Sequence, residues 1–365
     1  MAGEGSHLQL ASCSSAGSRA ACFRAQHDAH LVLRDCNSSC AAHDACAAES
    51  SAHLTGNNVT VQQSGGHGLS VVGGSSAHLH ACSFSTSQGS ALYVSGKMTT
   101  AQISACVMAS NACHGITVCD CASGTAKRCT FSENGGSGVF VEDQGILTME
   151  ACNSDGNKER GFWAQDRGRL TLLQCSSTSD GWQGCGARSG GYVSACDVAL
   201  RNCGQSGLMF ENAVGVLKRC SCTGAGGRGV NVEGLHASVQ MAGGRVSENC
   251  QGGVYVSGGA DARVDDVIAV GNNAFGFLCD GGHERARSKL ALMNCEYESE
   301  REGSEYVEVS HWVRRILAGA SNRAFVAQRR GVVAAHGCRV VGGRQWHVEL
   351  EMFQWWAALL WQRTS

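Results

Sequence analysis

Gly145-Ile146-Leu147-Thr148-Met149-Glu150-Ala151-Cys152-Asn153-Ser154-Asp155-Gly156-Asn157, followed by Gly161-Phe162-Trp163-Ala164, contains one complete repeat of this chain. Leu147 and Met149 alternate with Thr148 and Glu150, the period-2 pattern of a half-buried strand. Cys152 closes that strand, a polar turn carrying Asn157 follows, and a second apolar run begins after Gly161. The preceding unit has the same form: Lys127-Arg128-Cys129, Phe131-Ser132-Glu133-Asn134, then Gly138-Val139-Phe140-Val141. No 3.6-residue helical period persists through any unit.

Working outward from this unit, a cysteine returns about every 23 residues, at Cys13, Cys36, Cys82, Cys106, Cys129, Cys152, Cys175, Cys196, Cys220 and Cys295. Val59, Ala242 and Val267 fill the gaps in this comb. Because Val and Ala take the same place, the comb reads as a column of small buried side chains, not as a set of bridges or metal ligands. A period of this length also suits leucine-rich repeats, but Leu is sparse, Gly is abundant at 49 residues, and β-branched residues recur in both strands. The expected fold is therefore all-β, a right-handed parallel β-helix solenoid of about twelve coils with a 23-residue period. The expected domains are residues 1–295 as the β-helix and 296–365 as an extension, either an end cap or a poorly ordered tail. The charged run Glu296 to Glu302 marks that boundary, and four tryptophans crowd the segment from Trp346 to Trp361.

Composition narrows the function. With 29 Lys+Arg against 31 Asp+Glu, the chain lacks the basic excess that nucleic acid or an anionic membrane requires. No apolar stretch is long enough to span a bilayer. The N-terminus carries no signal-peptide pattern, so the 22 cysteines are expected to be reduced and the chain cytoplasmic. Proline is absent, which suits coils whose backbone N–H groups are nearly all committed to ladders.

Three columns are candidates for chemistry. An Asn-rich column, Asn111, Asn134, Asn157, Asp180, Asn202, Asn249 and Asn272, reads as a stacked amide ladder. A second column holds Asp120, Asp143 and Asp166, each 23 residues apart, and continues through Ser189 and Asn212. Its bland reading is turn capping. Its functional reading is a carboxylate row for glycosidic chemistry, with Asp143, Asp166 and Arg167 as catalytic candidates. Asp120, Trp163, Trp182 and Arg188 are the ligand-binding candidates, because aromatic faces stack on sugars and Arg pairs carboxylates. His30, His53 and His78 form a weaker stack whose metal reading is not adopted. No cofactor is expected; Ca²⁺ enters only with the enzyme reading.

Written as strand–Cys, polar Asn turn, Gly, strand, the chain resembles the parallel β-helix repeat family; Leu147 to Cys152 with Asn157 and Gly161, and Val216 to Cys220 with Gly229-Val230-Asn231-Val232, carry the resemblance. That family includes pectate lyases, polygalacturonases, alginate epimerases and the β-helical recognition domain of an F-box ubiquitin ligase. The resemblance covers about residues 6–295 and implies the fold; no family catalytic signature carries over. The coils vary only from 21 to 28 residues, so substrate-binding insertions are missing. The expectation is a non-catalytic β-helix presenting a long face to a protein or a polysaccharide. The alternative is a polysaccharide lyase, hydrolase or C5-epimerase using the Asp column.

Overall fold

The computed structural model describes residues 5–281 and 288–298, together with the backbone of Arg323–Gln328, Val332–His336, Arg339–Val341 and Val348–Glu349. It shows a parallel β-solenoid of about twelve coils, and no helix occurs among the described residues. The chain divides into two compact units, Met1–Cys185 with Ser189–Val193, and Gly186–Arg188 with Ser194–Ser365.

In the first unit a coil has three strands. The coil of the opening repeat has Ile146–Glu150, then Asn153–Asp155, then Phe162–Ala164. The first two pair in parallel with the same two strands of the next coil, and the third joins a separate parallel ladder. The register is one coil per repeat, so Leu147 sits beside Leu170 and Phe131 beside Ser154. In three successive coils of the second unit the first two strands fuse into ten-residue strands, Val214–Thr223, Ser238–Ser247 and Asp261–Val270.

Corners between strands explain the cysteine comb. The residue before each tooth is left-handed: φ is 53° at Asp35, 52° at Arg128 and 53° at Ala151. Such a residue bends the chain between the first two strands, and its N–H reaches the next coil, as Arg128 N donates to Glu150 O at 2.9 Å. The bend frees a carbonyl two residues before the tooth, and the tooth thiol donates to it. Cys36 Sγ lies 3.2 Å from Arg34 O, Cys82 Sγ 3.2 Å from His80 O, and Cys129 Sγ 3.3 Å from Lys127 O. Cysteine is thus small and apolar enough for the core, yet supplies a weak donor where the corner needs one. Every described cysteine is a free thiol, and burial pushes Cys220 up to about 11.

Two teeth of the expected comb are displaced. Asp197 is the left-handed residue of its corner at φ 56°, and Val198 O accepts from Ser221 N. The tooth is therefore Val198, while Cys196 ends the strand Tyr192–Cys196 on the outside. Likewise Gly244, not Ala242, pairs with Cys220 and Val267. Val59 and Val267 occupy the tooth position as expected, both buried.

The Asn column is the second corner. Asn134 Nδ2 donates to Asn157 Oδ1 at 2.9 Å, and the backbone N of Asn134 donates to the same oxygen at 3.0 Å. Asn111 repeats both bonds onto Asn134, and Asn157 repeats them onto Asp180. Asp180 ends the ladder, accepting also from Ser177 and Ser154. The second unit has its own segment, Asn249 onto Asn272 at 2.8 Å. Asn202 is not a rung: it is the left-handed residue before the rung position, φ 52°, and Cys203 stands in the column.

The ladder does not stop at Cys295. Glu296–Glu298 pairs with Ile268 to Val270, and Arg339–Val341 pairs with Glu296–Glu298 in turn. Backbone pairing among the described residues thus continues past Cys295, where the sequence pattern fades. The tryptophans between Trp346 and Trp361 lie outside the described residues.

Truncating a rung orphans buried donors and a carbonyl, since Asn134 Nδ2 also caps Met108 O at 3.1 Å. Asn134→Ala is expected to cost about 2–4 kcal/mol in urea denaturation, whereas Cys129→Val, which loses only a weak thiol bond, should cost less than about 1.5 kcal/mol.

Burial holds the Asp180 carboxyl above the usual carboxylate range, although its hydrogen bonds oppose the shift. A raised folded-state value means protonation favours the fold. Stability from this group is then full below about pH 4 and lost as pH rises through the raised value. Asp180→Asn keeps an amide rung without that charge, so its advantage over wild type in urea titrations should grow from acid to neutral pH.

Candidate functional site

The outer face of the third-strand ladder in the first unit gathers the chemistry. Successive coils place Tyr93, Thr117, Phe140 and Trp163 in one column. Each is the second residue of a third strand, where alternation sends one side chain inward and the next outward. Leu92, Ile116, Val139 and Phe162 accordingly fill the core.

One flank of this face carries His67, His114 and Arg160, each in the turn that leads into a third strand. The His67 ring stacks on Tyr93 with centroids 4.6 Å apart, and His114 stacks on Phe140 at 4.5 Å. Nδ1 of each imidazole accepts a backbone N–H, from Ser90 at 3.0 Å and from Ser137 at 2.8 Å. That fixes the proton on Nε2 in the neutral ring. Burial lowers both histidines below their usual value; Asp44 opposes the shift at His67, and Glu159 opposes it at His114. Arg160 lies between two indoles, 4.3 Å from the Trp163 centroid and 4.6 Å from that of Trp182.

The other flank holds the carboxylates. Asp120, Asp143 and Asp166 are exposed, and each opens a tight turn with φ of 52°, 46° and 48°. The following residues Cys121, Gln144 and Arg167 are left-handed too, and Gly145 N donates to Glu142 O at 2.8 Å. Two consecutive left-handed residues closed by such a bond make a type I′ turn, which favours Asp and Asn at its first central position. This is the physical reason the column exists, and it accounts for Ser189 and Asn212 at the same place, φ 51° and 48°.

Reasoning from sequence missed Glu142, which precedes Asp143. It is partly buried and accepts from Gln165 Nε2 at 2.9 Å. Burial holds its carboxyl above the usual range, the Gln165 bond partly offsets this, and the charges of Asp143, Asp166 and Asp120 add to the rise. The signal was a carboxylate beside a carboxylate column, but nothing in the sequence distinguished its burial.

The sequence candidates fall in different settings. Asp120 accepts from Ser95 Oγ at 2.6 Å. Asp143, Asp166 and Arg167 stand together on the exposed turn edge. Trp163 is only 1% exposed, being covered where Arg160 lies on it, so the open indole is Trp182 at 39%. Arg188 ends Cys185–Arg188, is exposed, and belongs to the other compact unit. The histidine stack is His7, His30 and His53, with His30 and His53 4.5 Å apart; His53 pairs with Ser76, which puts His78 two residues out of that column. Among the described residues no three His, Cys, Asp or Glu side chains converge to hold a metal ion, and no helix is long and apolar enough to cross a membrane.

Residues 45–202 match the family described as right handed beta helix region, so the resemblance drawn from the repeat holds for both fold and hand. Among solved structures, the A-module of the mannuronan C-5 epimerase AlgE6 from Azotobacter vinelandii aligns with a TM-score of 0.54 at 11% identity, over 94% of this chain and 92% of that one. A double mutant of the periplasmic alginate epimerase AlgG aligns at 0.52 and 10% identity, over 87% of this chain and 78% of that one. Among curated proteins no sequence matches. At these identities the likeness is one of fold.

Proposed function

We propose that this chain acts on a polysaccharide held on the outer face of the third-strand ladder, with Glu142 as the proton-transfer group. The observation that carries the proposal is Glu142 itself: a partly buried carboxyl with a raised proton affinity, on the same face as the aromatic column. A carboxyl with raised proton affinity can donate to a glycosidic oxygen, while a neighbouring carboxylate serves as base or nucleophile. Asp143 and Asp166, one coil apart, are our candidates for that second role, with Arg167 beside Asp166. Trp182 offers the open aromatic surface, and Asp120 lies toward Tyr93. The polysaccharide-acting proteins of similar fold, an alginate epimerase and a mannuronan C-5 epimerase, support a glycan as the partner.

A second reading is favoured by the short turns. Only residues 142–145 join Val139–Val141 to Ile146–Glu150, and only 156–161 join Asn153–Asp155 to Phe162–Ala164. No insertion walls the face into a deep groove there, which suits glycan binding without turnover.

Incubation with neutral and acidic polysaccharides, read by new reducing ends, by unsaturated product and by inversion at C-5, separates the two. Turnover is expected, and Glu142→Gln is expected to reduce it by about 10²-fold or more while leaving binding in place. Binding without any turnover would establish the second reading, and full activity in Glu142→Gln would remove Glu142 from the chemistry.

A further inference from the structure

The two histidine–aromatic pairs are copies of one device, built twice with identical spacing. His67 is followed 22, 23 and 26 residues later by Gly89, Ser90 and Tyr93, and His114 by Gly136, Ser137 and Phe140 at the same intervals. In both, the ring lies over the glycine of the next coil. A Cβ on Gly89 would sit 2.6 Å from His67 Nδ1, and one on Gly136 would sit 2.6 Å from His114 Nδ1. In both, the following backbone N–H fixes the tautomer, and the ring stacks on the outward aromatic. In both, Nε2–H has no protein partner among the described residues. Nothing in the packing of the coils demands this arrangement, since the intervening pair is Ser90 in the histidine column and Thr117 of the next coil in the aromatic column.

The copies are two coils apart. At ~4.8 Å per coil the equivalent donors and ring faces recur at about 9.6 Å. One sugar of an extended glycan is about as long as one coil is high, and a chain of two-fold symmetry presents the same face of every second sugar. The alternation His67, Ser90, His114, Ser137 along the flank matches that alternation of faces.

The charge of the face selects among such chains. Asp44, Asp120, Glu142, Asp143, Glu159 and Asp166 line its two flanks, and against these six carboxylates the carboxylate edge carries Arg167 beside Asp166. Arg160, between the two indoles, has Glu159 at 3.5 Å and Gln183 at 3.1 Å, so its charge is shared within the protein. A polyanion laid along this face would meet carboxylates on both sides.

We propose that this face binds an uncharged, extended polysaccharide of two-fold symmetry lying across the strands with one sugar per coil, and that the His67–Tyr93 and His114–Phe140 pairs hold alternate sugars. The ring faces take the apolar face of the sugar, and each Nε2–H donates to a hydroxyl. This deepens the glycan reading above and rests on it for the choice of face.

The test is calorimetric titration of the full chain with β-1,4-linked gluco- and manno-oligosaccharides of two to six sugars. Oligomannuronates serve as the charged counterpart of similar chain geometry. Affinity for a neutral series should rise steeply to about four sugars, the span of the four coils from Tyr93 to Trp163, and then level off. His67→Gln and His114→Gln should each weaken binding by about tenfold, as should Gly89→Ala and Gly136→Ala, which displace the imidazoles. Unchanged unfolding midpoints show that the variants remain folded; Gln is chosen because its carbonyl can still accept the Ser90 or Ser137 N–H. The proposal is overturned if no neutral oligomer binds, if oligomannuronates bind as tightly, or if the histidine variants bind as wild type. Turnover that needs Glu142 but ignores both histidines overturns this inference alone. Length-dependent binding through the histidines without turnover upholds it and removes only the catalytic role of Glu142.

Discussion

In-register parallel pairing between successive coils is the interaction on which everything else in this molecule depends. A coil has too little apolar surface to fold alone, so each is held by the backbone bonds it makes to the next. Those bonds line up only if every coil bends at the same places. Three corners recur per coil, and each is opened by left-handed residues, such as Arg128, Glu133 and Asp143 within one coil. Left-handed conformations are costly for most L-residues. Here they persist because the N–H of a corner residue reaches a carbonyl of the next coil, as Ala151 N does to Leu173 O and Glu133 N to Asp155 O.

The polar columns follow from the same constraint. A corner strips a carbonyl of its strand partner, and the residue after the corner must supply a donor from inside the coil. At the first corner a thiol does this, with Cys152 Sγ 3.4 Å from Glu150 O. At the second an amide does it, and a buried amide has donors and an acceptor left to bond its neighbour one coil away. Hence the Asn ladder is continuous over Asn111, Asn134 and Asn157 and needs no solvent. The third corner is exposed and needs only residues tolerant of positive φ, so Asp collects there. Its carboxylates became a row because the turns stack, and the row adds to the rise in proton affinity that burial gives Glu142 beside it.

The face that carries the candidate chemistry uses positions left over by these rules. Outward third-strand side chains are not part of the backbone ladder, and the turns flanking them constrain backbone conformation more than side-chain identity. They vary freely from coil to coil, and that freedom is what allows His67, His114, Arg160 and the column from Tyr93 to Trp163 to differ from their neighbours. Departures from the repeat, not the repeat itself, therefore supply the candidate site residues.

By itself, the sequence determined the coil length, the parallel β-helix, the apolar character of the comb and the amide ladder. Each of these is written as a recurrence at a fixed interval, and a solenoid converts recurrence directly into contact. Cys196 and Ala242 each lie two residues before the tooth of their corner, because a Cys or a small residue looks the same on either side of the bend. Only the tertiary structure decided that Trp163 is covered by Arg160, that Glu142 is partly buried, and that His67 and His114 each sit over a glycine of the next coil. These are facts of depth and direction within one coil's neighbourhood, and a periodic pattern says which residues are stacked without saying how far each side chain leans or what lies over it.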